Sequence, residues 1–63
     1  MTINLRETFK KADRTTKLLI RAELETLLQK QYVQIYRYIN GSTEPKYKQY
    51  LIIINTFKKY GII

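Results

Sequence analysis

One short segment, residues 29–41, constrains the fold most, because it combines helical spacing with a strong stop signal. Its apolar residues at positions i, i+3 and i+4 are Ile35, Tyr38 and Ile39. Asn40 and Gly41 follow them, and both residue types tolerate the positive φ that ends many helices. The pattern predicts a helix over about residues 31–40 whose opposite face is exposed.

Apolar spacing also predicts two helices before this segment. The first covers residues 4–14 and the second roughly residues 16–28, with a start near Ile20 as an alternative for the second. Their inward-facing residues are expected to be Leu5, Phe9, Ala12, Leu24, Leu27 and Leu28. The break falls at residues 13–16, because threonine favours caps over helix interiors. Continuation of the first helix through this break stays open.

A fourth helix is predicted from Pro45 to just before Gly61. Proline suits a first helical turn, where its missing N–H is not needed, and glycine is a common stop. The buried face is expected to contain Tyr47, Tyr50, Leu51, Ile54 and Phe57. The apolar run at residues 51–54 also fits a strand, but helical spacing across the whole segment outweighs it. Residues 1–63 are thus expected to form one small all-α domain of four helices, with a fifth helix as the alternative.

The charge balance and the missing residue types restrict the function. Twelve lysine and arginine residues against five acidic ones give a net charge of +7, which favours a polyanionic partner. The chain has no cysteine and no histidine, so it lacks thiolate ligands, the usual zinc ligand and the usual general base. We therefore expect no enzymatic activity, no metal and no cofactor. No apolar run resembles a signal peptide or a membrane span, which predicts a cytoplasmic protein.

A set of residues between positions 21 and 41 has the spacing of a helix-turn-helix. They are Ala22-Glu23-Leu24, Leu28, Ile35 and Asn40-Gly41, and Pro45, Leu51 and Ile54 continue the pattern. This pattern resembles the phage repressor and Cro-type (XRE) family. The chain departs from the family at Glu25, Gln29 and Lys30, where the family usually has a small residue, glycine and an apolar residue. The resemblance implies a repressor-like fold that presents the third helix to duplex DNA.

The resemblance and the helical wheel together assign the base-contacting residues to the third helix. They are Tyr32, Val33, Gln34, Tyr36 and Arg37. Arginine can donate two hydrogen bonds to guanine, and glutamine can pair with adenine in the major groove. Phosphate contacts are expected from Arg21, Lys30, Gln31, Asn40, Ser42, Lys46 and Lys48. The predicted function is sequence-specific binding of double-stranded DNA by a small phage or mobile-element regulator that occupies an operator.

An excess of apolar residues near the C-terminus predicts a homodimer on DNA, because exposed apolar patches usually mark partner surfaces. Its interface is expected to use Ile52, Ile53, Ile62 and Ile63. Such a dimer would place two recognition helices about 34 Å apart, which is one turn of DNA.

Two alternatives compete with this prediction. One is a protein-interaction module, such as an antitoxin-like or phage-encoded partner protein, that works through the apolar C-terminal surface. The other is nonspecific or single-strand nucleic-acid binding, in which Tyr32 and Tyr36 stack on bases. Tyr38, Tyr47 and Tyr50 lie on apolar stripes and are assigned to the core.

Overall fold

Four α-helices account for the regular structure of residues 4–63, the part of the chain that the computed structural model describes. They are α1 (Leu5–Lys10), α2 (Arg14–Leu28), α3 (Tyr32–Asn40) and α4 (Tyr47–Lys59). No strand occurs within residues 4–63, and the apolar run at residues 51–54 lies inside α4. The predicted all-α fold of four helices is confirmed, and no fifth helix follows Lys59 in the described range.

Side-chain caps fix the starts of α1 and α2. Asn4 Oδ1 accepts a hydrogen bond from the backbone N–H of Glu7 at 3.1 Å, and Asp13 Oδ1 accepts one from Thr16 at 2.7 Å. The cap at Asp13 separates the two helices, so the continuous-helix alternative is wrong. It also places the start of α2 at Arg14, earlier than either predicted start.

Glycine ends both later helices, as predicted. Gly41 has φ 84°, and its backbone N–H donates to the carbonyl of Tyr38 at 3.4 Å. Gly61 has φ 75°, and the N–H of Ile62 donates to the carbonyl of Phe57 at 3.2 Å, which folds the chain back on the last turn. The predicted start of α4 is two residues early, because Lys46 is its N-cap and donates its N–H to Gln49 Oε1 at 2.9 Å.

One core of apolar side chains joins all four helices. Its buried members are Leu5, Phe9, Ala12, Ile20, Leu24, Ile35, Tyr38, Ile39, Ile53, Ile54 and Phe57. The rings of Phe9 and Phe57 stack with their centroids 6.0 Å apart, which joins α1 to α4. Helix α2 packs against both α3 and α4, and α1 packs against α3. This arrangement leaves one face of α3 open to solvent.

The buried faces of α2 and α4 differ from the prediction. Tyr47 is 74% exposed, and Leu51 and Leu27 are exposed as well, although all three were assigned to the core. Ile53 is instead fully buried, so the prediction that it lies in a dimer interface is wrong. The run at residues 51–54 is apolar all round the helix, so packing against α2 decides which residues face inward.

The four helices are too short or too polar to cross a lipid bilayer, as far as residues 4–63 are concerned.

A hydrogen-bonded ion pair ties α2 to the end of α4. One carboxylate oxygen of Glu23 accepts hydrogen bonds from Lys59 Nζ at 2.8 Å and from the hydroxyl of Tyr60 at 3.0 Å. The bond from Lys59, with the one from Tyr60, holds the pKa of Glu23 below its ordinary value of 4.5. The same bonds raise the pKa of Lys59 and the pKa of Tyr60 above their ordinary values.

Stability should therefore fall at both extremes of pH. Because the folded-state pKa of Glu23 is lowered, its contribution is complete above about pH 4.5 and is lost as the pH falls through the lowered value. Because the pKa of Tyr60 is raised, its contribution is complete below about pH 10.0 and is lost as the pH rises through the raised value. Thermal melts followed by circular dichroism should show that Glu23→Gln lowers the Tm at neutral pH. The Tm of this variant should also fall less than that of the wild type when the pH is lowered. Glu7→Gln is the control, since Glu7 pairs only loosely with Lys10 at 3.9 Å, and an equal effect of both variants would contradict the prediction.

Candidate nucleic-acid interface

A turn of three residues, 29–31, joins α2 to α3 and sets the position of α3. Gln29 adopts the left-handed conformation with φ 54° and ψ 44°, at the position where the family resemblance leads one to expect glycine. It is the one non-glycine residue with positive φ in the described part of the chain. Gln31 is the N-cap of α3, and its carbonyl accepts the N–H groups of Gln34 and Ile35 at 3.0 and 3.2 Å. The turn thus forms without glycine, at a cost in backbone strain.

Glycine at position 29 should relieve this strain. A left-handed conformation costs a residue with a Cβ about 1–2 kcal/mol, whereas glycine adopts it freely. After allowance for the greater freedom of glycine in the unfolded chain, Gln29→Gly should raise the free energy of unfolding by about 1 kcal/mol. Urea unfolding measures the change. Gln29→Ala is the matched control, because it removes the side chain but keeps the Cβ, and a destabilised Gln29→Gly protein would show that the side chain itself holds the turn.

The open face of α3 carries a row of exposed side chains. Val33, Arg37 and Asn40 follow one another at helical spacing, on the side opposite the buried residues of this helix, and all three are exposed. Tyr32 is exposed beside this row, whereas Gln34 and Tyr36 are half-buried at its edges. Three of the five predicted base-contacting residues, Tyr32, Val33 and Arg37, are therefore exposed. Asn40, predicted to contact phosphate, lies in line with the base-contacting residues.

A chain of ring contacts fixes the first turn of α3. The guanidinium of Arg21 lies 5.2 Å from the ring centroid of Tyr32, within the range of a cation–π contact. The Tyr32 ring meets the Tyr36 ring edge-on at 6.2 Å, and the Tyr36 ring meets the Phe9 ring edge-on at 6.0 Å. These contacts connect an exposed tyrosine of α3 with α2 on one side and with the core on the other.

Arg21, which was predicted to contact phosphate, already contacts two side chains of its own domain. Its Nε lies 3.3 Å from Glu25 Oε1, yet this nitrogen is buried and makes no hydrogen bond to any described residue. The guanidinium therefore faces both Glu25 and Tyr32, and about a third of the side chain remains exposed. The spacing of four residues between Arg21 and Glu25 is the sequence signal that would have revealed this pair.

The remaining predicted phosphate-contacting residues surround α3 and are exposed. They are Lys30, Gln31, Asn40, Ser42, Lys46 and Lys48. The first two precede α3, the next two stand at its end, and the two lysines begin α4. No acidic residue occurs from residue 29 to residue 43, so α3 and the turn before it carry only positive charge, while Glu44 is the one acidic residue between α3 and the lysines of α4.

An open groove of about 800 Å³ lies beside the C-terminal end of α3. It is lined by the start of α1, the end of α3 and the loop that leads to α4, and its walls include Asn40 and Tyr47. Tyr47 therefore lines the same groove as Asn40, the last residue of the exposed row on α3. Sequence reasoning assigned Tyr47 to the core and missed this position.

The candidate interface consists of the exposed row on α3, its basic flanks and the ring contacts that anchor its first turn. Comparisons with protein-family models, with curated proteins and with solved structures found no match for this chain.

Proposed function

We propose that the protein binds duplex DNA sequence-specifically by inserting α3 into the major groove. The observation that carries the proposal is the exposed row of Val33, Arg37 and Asn40 on a helix that has no acidic residue between positions 29 and 43 and has exposed lysines on both sides. A helix with side chains is about 10–12 Å wide, and the major groove is about 12 Å wide. The preceding α2 and the three-residue turn leave this face unobstructed.

The side chains of α3 match the groups that the major groove displays. Arg37 can donate two hydrogen bonds to guanine O6 and N7, and Asn40 or Gln34 can pair with adenine N6 and N7. Val33 can contact a thymine methyl group. The surrounding lysines supply phosphate contacts, which orient the protein without reading sequence.

A regulator that occupies an operator is the biological role that we propose, of the phage or mobile-element type that the sequence resembles. In this role the protein acts in the cytoplasm, catalyses no reaction and needs no cofactor or metal. A palindromic operator would accommodate two copies.

Selection of bound duplexes from a random pool tests the proposal most directly. At moderate salt, successive rounds should enrich one short motif, and a palindromic motif would indicate that two copies bind. A pool that stays random while protein is still bound would contradict sequence-specific binding and leave only phosphate contacts.

Salt should weaken DNA binding through the lysines that flank α3. Each phosphate contact releases counterions, so removing one should reduce the slope of log K against log salt by about 1. We expect this reduction for Lys30→Gln, Lys46→Gln and Lys48→Gln, measured by fluorescence anisotropy of a labelled duplex. Lys58→Gln is the control, because Lys58 lies about 18 Å along α4 from Lys46. An unchanged slope for all three variants would place the phosphate contacts elsewhere.

Binding to single strands is a second candidate, and one observation favours it. Tyr47 is 74% exposed and stands between Lys46 and Lys48, the combination that stacks on unpaired bases and holds their phosphates. Tyr36, in contrast, already packs against Phe9 and is only half-exposed. If single strands are the target, Tyr47→Ala should weaken their binding far more than that of duplex DNA.

A further inference from the structure

The outward side of α2 is uncharged over three helical turns. Five of the seven exposed residues of α2 lie on this side, which we name the α2 outer face: Thr15, Leu18, Leu19, Ala22 and Thr26. The two leucines are 47% and 50% exposed. The hydroxyl of Thr26 donates to the carbonyl of Ala22 at 3.2 Å, so its hydrogen-bonding need is met within the helix. Leu18, Leu19 and Ala22 form the apolar part of this face, and grouped exposed apolar residues often mark a partner contact.

The fold makes no use of this face. Ile20 and Leu24 of α2 point into the core, Arg21 contacts α3, and Glu23 bonds to the end of α4. The outer face therefore remains on the free side of the helix, away from the groups that hold α2 in place.

The distribution of charge makes this face the side on which a second copy of the chain is repelled least. Residues 13–28 contain three acidic and three basic residues, so α2 with its cap is neutral and the rest of the chain carries the whole net charge of +7. The basic residues here are Arg14, Lys17 and Arg21, and the acidic ones are Asp13, Glu23 and Glu25. Two copies of a +7 chain repel each other, and that repulsion is weakest where they meet on neutral surfaces.

We propose that two copies of the protein associate through the α2 outer face, with the two α2 helices crossing about a twofold axis near Ala22. The small side chain of Ala22 at the centre allows the helix axes to approach to about 8–10 Å, and the leucines beside it pack against their equivalents in the other copy. A contact between two helices buries less than the roughly 800 Å² per partner of a standard interface, so the Kd should be in the micromolar range.

This surface differs from the C-terminal one predicted from the sequence. Ile53 is buried, and Ile52 and Ile62 pack partly against the core, which leaves Ile63 as the single predicted member that is exposed. The association does not depend on the proposed DNA binding. Salt also separates the two activities, because it screens repulsion between copies and should strengthen their association while weakening DNA binding.

Sedimentation equilibrium of the full chain without DNA provides the first test. The wild-type chain should dimerise at concentrations of about 10–100 µM, and Ala22→Glu should remain monomeric there. At concentrations well below the Kd, where the wild type is also monomeric, the two proteins should have similar melting temperatures. Glutamate is a good helix former and position 22 is exposed, so the variant should fold. Leu51→Glu is the matched control, since it places the same charge on an exposed apolar position of α4 and should still dimerise.

Cysteine cross-linking provides the second test, because the chain has no cysteine of its own. Under mild oxidation, Ala22→Cys should form a disulfide-linked dimer much faster than Ile63→Cys or Leu51→Cys, since residues near a twofold axis meet their equivalents. A wild-type chain that stays monomeric to about 1 mM would overturn the proposal. So would a dimer that persists in Ala22→Glu or that cross-links fastest at Ile63→Cys.

Discussion

Phe57→Ala is expected to lower the free energy of unfolding by about 3–5 kcal/mol, the usual cost of truncating a fully buried phenylalanine. Phe57 is wholly inaccessible to solvent, and its ring stacks on that of Phe9 at 6.0 Å. The truncation removes the ring that joins α4 to α1 and leaves a cavity between them. Since a chain of this size has only a few kcal/mol of stability, the variant should be largely unfolded at 25 °C.

Urea unfolding followed by circular dichroism measures this effect. Tyr47→Ala is the matched control, because Tyr47 is an aromatic residue of the same helix that is 74% exposed, and its loss should change stability by no more than about 0.5 kcal/mol. Phe57→Leu should fall between the two, since it keeps most of the apolar volume. If Phe57→Ala and Tyr47→Ala were equally stable, α4 would have to dock through a different face.

Arg37→Ala is expected to weaken binding to the selected DNA site by about 1–3 kcal/mol, or about 5- to 150-fold in Kd, and binding to random duplex much less. Arg37 is exposed in the last turn of α3, and its guanidinium makes no ion pair with any of residues 4–63. All its donors are therefore available to a base. Loss of a bidentate contact to guanine removes sequence discrimination, whereas loss of one positive charge weakens every duplex alike.

Arg37→Lys separates these two effects. It keeps the charge but not the planar pair of donors, so it should bind random duplex like the wild type and still lose affinity for the selected site. Fluorescence anisotropy with both duplexes at the same salt concentration measures the difference. Equal losses of Arg37→Ala on the two duplexes would remove Arg37 from the base-reading residues.

Local signals in the sequence predicted most of the fold, but they did not predict which side of every helix is buried. The stop at Gly41 and the buried row of Ile35, Tyr38 and Ile39 depend on short-range rules, and the structure confirms them. The buried face of α4 could not be predicted, because apolar residues at 51–54 surround the helix and only packing against the rest of the domain selects Ile53 over Leu51. The left-handed turn at Gln29 could not be predicted either, because the local rule places glycine at such a position.

The candidate interface was predicted where it depends on helix geometry and missed where it depends on distant contacts. Val33 and Arg37 are exposed because they lie opposite a row of isoleucines on the same helix. The half-burial of Tyr36 depends on Phe9, which is far away in sequence, so no local pattern could reveal it. The α2 outer face could not be predicted, because a start of the second helix near Ile20 would leave Leu18 and Leu19 outside that helix.

The ring contacts between Arg21, Tyr32 and Tyr36 have a consequence for the entropy of binding. Ordering a flexible side chain at an interface costs about 0.5–1.5 kcal/mol, and the side chain of Tyr32 is already ordered in the free protein by its two neighbours. If α3 binds DNA as we propose, Arg37 has no such support and would lose rotamer freedom on contact with a base. Tyr32 would then be preorganised for binding, whereas Arg37 could adjust to the base sequence.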